Sequence, residues 1–173
     1  MAEHPEAVTF KGNPITLKGD APEVGASAPN AALTAGDMSE VSIGNWEGKV
    51  RILNVVPSLD TPVCDVQTRT FNQRVSELGD DAVVVTVSRD LPFAQNRWCG
   101  SAGIERVAVL SDYKDRAFGD AYGLGMKELG LLARSVFVID RDGVVRYREI
   151  VAEQTDEPDY DAALSAAKAA LER

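Results

Sequence analysis

The chain has 173 residues, of which 45% are hydrophobic and 26% charged. This is a globular balance that excludes collagen, a coiled coil and wholesale disorder, and it suits one α/β domain over residues 1–173. With 18 Lys plus Arg against 27 Asp plus Glu the net charge is −9, which disfavours nucleic acid and anionic membrane as partners. A single histidine, His4, and two cysteines exclude a His-based catalytic pair, a His-rich metal site and a Cys-rich zinc site.

In chain order, Val8–Phe10 and Ile15–Leu17 read as a hairpin around a Gly12-Asn13 turn, followed by a Gly/Pro/Ala-rich loop over 19–30. Val41–Ile43 reads as a short strand, and Val50–Val56 and Ala82–Ser88 as strands covered on both faces. Between them Pro62–Leu78 carries Val63, Val66, Phe71, Val75 and Leu78 at helical spacing. Pro92–Cys99 reads as a short helix opened by proline, Val107–Leu110 as a strand, and Arg116–Tyr122 as a helix ended by Gly123. Ser135–Asp140 and Val144–Ile150 form a hairpin about Asp142-Gly143, and Asp159–Leu171 is an Ala-rich amphipathic helix. A βαβ beginning, then a hairpin and a closing helix, is the order of a thioredoxin-like fold: a central mixed sheet, flanking helices and here an N-terminal β-hairpin. The N-terminus has neither a basic nor an apolar signal region, and no apolar run is long enough to span a bilayer, so a cytoplasmic location is expected.

The strongest chemical signal is Pro57-Ser58-Leu59-Asp60-Thr61-Pro62-Val63-Cys64. It places Cys64 in a first helical turn, where free amides favour an anion and a thiol ionises more readily than usual. From position alone, Cys64 is equally well a small buried hydrophobe. Gln67 stands where a CxxC motif would carry its second cysteine, so disulfide exchange through a local dithiol is excluded. Thr61 suits a helix N-cap. Arg134, ahead of an apolar strand, reads on its own as a solvated edge charge, and Cys99 as an inert thiol. The run Tyr122-Gly123-Leu124-Gly125-Met126 follows no strand and lacks a dinucleotide fingerprint. Leu124, Met126, Leu129, Leu131 and Leu132 fit a binding surface or plain core.

Pro57, Thr61 and Cys64 match the Pro-x-x-x-Thr-x-x-Cys motif of the peroxiredoxins. Phe10-Lys11-Gly12-Asn13-Pro14, Leu91-Pro92-Phe93-Ala94-Gln95, Cys99-Gly100 and Glu157-Pro158-Asp159-Tyr160 extend the likeness along nearly the whole chain. In these segments it resembles the bacterial thiol peroxidase type of atypical two-cysteine peroxiredoxin. That resemblance implies a peroxidatic Cys64 at the mouth of a pocket and a Thr61 hydroxyl bonded to thiolate and peroxide. It implies a shielding Pro57, an activating Arg134, and a resolving Cys99 that closes an intramolecular disulfide. It further implies hydroperoxide substrates, thioredoxin as reductant, a homodimer, and no metal, haem or flavin. A one-cysteine peroxidase and a redox sensor are the rival readings.

Overall fold

The computed structural model describes residues 1–103 and 107–173. Strands β1 (Glu3–Phe10) and β2 (Asn13–Lys18) form the expected hairpin. Its turn is Lys11-Gly12 and not Gly12-Asn13, because a two-residue hairpin turn needs positive φ at both positions. Lys11 has φ 50° and Gly12 φ 81°, while Asn13 is already strand.

A seven-stranded mixed sheet makes the centre of the molecule. In chain order its strands are β3 (Leu33–Thr34), β4 (Glu40–Val41), β5 (Val50–Val55), β6 (Ala82–Ser88), β7 (Val107–Ser111), β9 (Ser135–Ile139) and β10 (Val145–Ile150). They lie side by side as β10-β9-β5-β6-β7-β3-β4. Parallel β5–β6 and β6–β7 pairs are joined by helices α1 (Pro62–Arg74) and α2 (Pro92–Ala102), and the β9–β10 hairpin joins antiparallel to β5. This is the expected thioredoxin-like order. The sequence reading missed β3, and Ile43 opens a 3-10 turn instead of ending a strand.

The sheet is covered on both faces. Phe71 of α1 and Ala163, Leu164 and Ala167 of α4 (Tyr160–Leu171) pack on Val50, Ile52, Val84 and Val136. Phe118 and Tyr122 of α3 (Ala117–Tyr122), together with Val8, Ile15 and Leu17 of the hairpin, pack on Leu53, Val55, Val85 and Phe137. Leu124, Met126 and Leu132 belong to this second core, which settles their role as packing; Leu129 stays exposed. Strand β8 (Gly125–Met126) pairs with β2, so the glycine run extends the hairpin sheet. No helix among the described residues is long and apolar enough to cross a membrane.

Helix α1 departs most from its sequence pattern. Its buried stripe is Cys64, Gln67, Thr68 and Phe71, continued by Val75 and Leu78 in a 3-10 turn, whereas Val66 is exposed. The stripe keeps helical spacing, but two of its members are polar, and that hid it from a count of apolar residues.

Candidate active site

Strand β5 ends by extending its pairing with β6, as the Val56 N–H donates to Val87 O at 3.0 Å. Proline at 57 has no N–H to continue the ladder, so the chain leaves the sheet there. Asp90 catches the departing loop. One carboxylate oxygen accepts from Ser58 Oγ (2.7 Å), and the other from the Leu59 N–H (2.8 Å) and Ser88 Oγ (2.7 Å). Thr61 is extended (φ −101°, ψ 148°), as a residue before proline prefers, and Pro62 opens α1. Buried Pro57 and exposed Thr61 thus bracket a pinned loop that delivers Cys64 at the third helical position.

Thr61 is the N-cap residue by position, but its hydroxyl does not cap. It donates to Ser58 O at 2.9 Å and leaves the first-turn amides without a side-chain acceptor. A hydroxyl has one proton, so in this arrangement Thr61 can meet an incoming group only as an acceptor. The bond this hydroxyl makes here is thus to Ser58 O, and not the expected one to the Cys64 sulfur.

Cys64 is completely covered, packed with Val56, Leu59 and Trp98. It therefore does not sit at the mouth of a pocket. A shallow depression of about 300 Å³ lined by Leu59, Asp60, Thr61, Pro62, Asp65 and Trp98 lies over the same segment, and the sulfur is not part of its wall. Cys99, half-buried on α2, packs against the same apolar cluster, and both cysteines are free thiols. Burial pushes the Cys99 thiol up from its ordinary value, which keeps it protonated near neutral pH. The two helices are joined beside the cysteines. Trp98 Nε1 donates to Asp65 at 2.8 Å, the other Asp65 oxygen accepts from Arg69 at 2.9 Å, and the Arg69 guanidinium lies 5.7 Å from the centre of the Trp98 ring.

Arg134 is not an edge charge in solvent: it is 3% exposed. Its Nη1 donates to Gln67 Oε1 at 3.0 Å, and its Nε to the Gln154 carbonyl at 2.8 Å. Among the described residues its Nη2 has no hydrogen-bond partner, which leaves one arm of the fork for another ligand. Gln67 is three residues beyond Cys64, on the same helical face, so the guanidinium meets α1 one turn from the sulfur. The sequence-predicted residues fall into two sets. Pro57, Thr61, Cys64 and Cys99 gather at the loop and the α1–α2 contact, and Arg134 joins α1 through Gln67.

Three buried amides, Asn54, Gln67 and Gln154, complete the site; from sequence Gln67 marked only the missing second cysteine of a CxxC motif, and the other two were not noticed. Asn54 on β5 donates to both Thr68 Oγ1 and Thr86 Oγ1 at 3.0 Å, and accepts from Gln67 Nε2 at 2.6 Å. With its amide nitrogen committed to two hydroxyls, its oxygen faces Gln67, and this turns the Gln67 oxygen toward Arg134. Asn54 could have been noticed as a polar residue inside an apolar strand. Gln154, distant in sequence and in an irregular segment, carried no signal.

Comparison with known proteins matches residues 23–164 to the Redoxin family. The chain belongs to that family. It is 54% identical to a thiol peroxidase of Halalkalibacterium halodurans, over 95% of this chain and 99% of the relative, and 51% identical to a thiol peroxidase of Bacillus subtilis, over 94% and 96%. A peroxiredoxin-like protein from Aquifex aeolicus superposes with a TM-score of 0.88 at 40% identity, covering 96% of this chain and 99% of that one. The thiol peroxidase of Chromobacterium violaceum, at 19% identity, superposes with a TM-score of 0.86 and bears on the fold alone. These Redoxin relatives agree with the thiol peroxidase resemblance read from the sequence, and the thioredoxin-like order agrees with the fold.

Proposed function

We propose that this chain, acting as one domain over residues 1–173, is a thiol-dependent peroxidase that reduces hydrogen peroxide and organic hydroperoxides through Cys64. The observation that carries the proposal is a buried Arg134 held by Gln67 and Gln154 with one arm unpaired, a single helical turn from a cysteine at an uncapped helix start. Amide groups at a helix start and a guanidinium both stabilise negative charge on sulfur and on a departing oxygen.

The Cys64 thiolate attacks the distal peroxide oxygen. The O–O bond breaks as the S–O bond forms, the sulfur gives up two electrons, and the remaining alkoxide or hydroxide takes a proton and leaves as alcohol or water. Arg134 Nη2 holds the peroxide oxygens, and Thr61 accepts the peroxide O–H. Pro57 keeps the loop closed against bulk water. Because Cys64 is covered, substrate enters only when the exposed Asp60–Pro62 stretch opens.

The Cys99 thiol then attacks the sulfenic acid. The S–S bond forms, the S–O bond breaks, and the thiol proton leaves with the hydroxyl as water. This ring of 35 positions would constrain the unfolded chain by roughly 3–4 kcal/mol. Reduction by an external dithiol, for which thioredoxin is proposed, returns both thiols. A cytoplasmic location and a homodimer, both carried over from the resemblance, belong to the proposal, and sedimentation tests the second.

The experiment is an NADPH-coupled peroxidase assay with thioredoxin and its reductase. Wild type turns over, Cys64→Ser and Arg134→Ala lose turnover, and Cys99→Ser loses most of it. A single stoichiometric burst from wild type would favour a sensor, and full turnover in Cys99→Ser a one-cysteine peroxidase.

A further inference from the structure

Arg134 is clamped along both its main chain and its side chain by one short segment. Its carbonyl accepts from the Val151 N–H at 3.0 Å, its own N–H donates to Gln154 Oε1 at 2.6 Å, and its Nε donates to the Gln154 carbonyl at 2.8 Å. Gln154 closes the loop by donating Nε2 to Val151 O at 2.8 Å, and it is 1% exposed. The same segment is docked on the hairpin. The Thr9 N–H donates to Ala152 O at 2.7 Å, and the Gln154 N–H to Thr9 O at 2.8 Å. Glu153, between them, accepts from the Gly12 N–H at 2.8 Å and from Thr9 Oγ1 at 3.0 Å.

We infer that Gln154 is a positioning residue for Arg134, and that through it the β1–β2 hairpin fixes where the guanidinium points. The inference rests on the proposed role of Arg134. With Nε held by Gln154 and Nη1 by Gln67, the plane of the fork is set at two points, and Nη2 is directed without freedom to swing. Removal of the Gln154 side chain leaves the Arg134 N–H without its buried acceptor and frees residues 151–154 to shift, and the Nε contact shifts with them. Displacements of about 1 Å at a reacting centre cost up to roughly a hundredfold in rate.

The test is a double-mutant cycle on the full chain, read as the second-order rate constant for Cys64 oxidation by hydrogen peroxide in stopped flow. Gln154→Met is expected to slow oxidation about ten- to a hundredfold in the wild-type background, and by less than about twofold in Arg134→Met. A merely structural role would slow both backgrounds by the same factor. Should Gln154→Met fail to fold by circular dichroism, Gln154→Asn keeps an amide in the buried site but is one methylene too short to span its contacts, and the same non-additivity is expected. Equal losses in the two backgrounds, or no loss in wild type, would overturn the inference and leave the Arg134 reading standing. Full activity in Arg134→Met alone would overturn that reading itself.

Discussion

Replacement of Trp98 by Phe probes the contact that holds α2 against α1. It keeps an aromatic ring among Val56, Leu59 and Cys64 and removes the indole N–H that Asp65 accepts at 2.8 Å. A hydrogen bond to a charged acceptor contributes about 1.5–3 kcal/mol. Stacking of Arg69 on the ring adds about 0.5–1 kcal/mol, part of which Phe retains. Because Asp65 keeps Arg69 and solvent reaches the exposed side of the site, a net loss of about 1–2 kcal/mol is expected, and the open form of the α1–α2 contact rises about 5- to 30-fold. Cys64 is completely covered and Cys99 is half-buried against the cluster that Trp98 closes, so Cys99 reaches a Cys64 sulfenic acid only once the α1–α2 contact opens. Disulfide formation should therefore accelerate in Trp98→Phe, and sulfinic acid should accumulate less at high peroxide. Rapid mixing with one equivalent of hydrogen peroxide, quenching with an alkylating agent and mass analysis gives the rate of disulfide appearance. An unchanged or slower rate, with normal sulfenic acid formation, would refute the idea that this contact restrains Cys99.

Two further outcomes follow from the buried amides and the hairpin. Asn54→Leu leaves the Gln67 amide N–H without an acceptor at a fully buried site and lets Gln67 turn away from Arg134. It should lower urea stability by about 2–4 kcal/mol and slow peroxide reduction; a loss under about 1 kcal/mol with normal rates would contradict the network. Glu153 is held down to about 2, from an ordinary 4.5, chiefly by the Thr155 and Gly12 backbone N–H groups. Its folded value lies below its unfolded one, so its contribution is complete above about 4.5 and fades as pH falls toward about 2. The gap in thermal midpoint between wild type and Glu153→Gln should accordingly narrow over that interval. A constant gap would show that the carboxylate is not what docks the hairpin.

Strand and helix order was legible because β5, β6 and β9 are runs of branched apolar residues and because Pro62, Pro92 and Gly123 mark helix ends. The Pro57–Cys64 segment was legible because proline, threonine and cysteine stand at fixed spacing within one local loop. What surrounds Arg134 was not legible. Its partners come from positions 67, 151 and 154, so only the folded chain brings them together. The cover over Cys64 was likewise invisible, since Leu59 is local but Trp98 arrives from α2. In α1 polar Gln67 and Thr68 occupy core positions in order to serve Arg134 and Asn54, and this broke the apolar period that the sequence reading relied on.

The central claim is that peroxide is reduced at the sulfur of residue 64. Its most direct test is the Cys99→Ser protein treated with one equivalent of hydrogen peroxide in the presence of dimedone, with the adduct located by peptide mass mapping. One adduct, on Cys64, is expected. No adduct on that residue while peroxide is consumed would contradict the account.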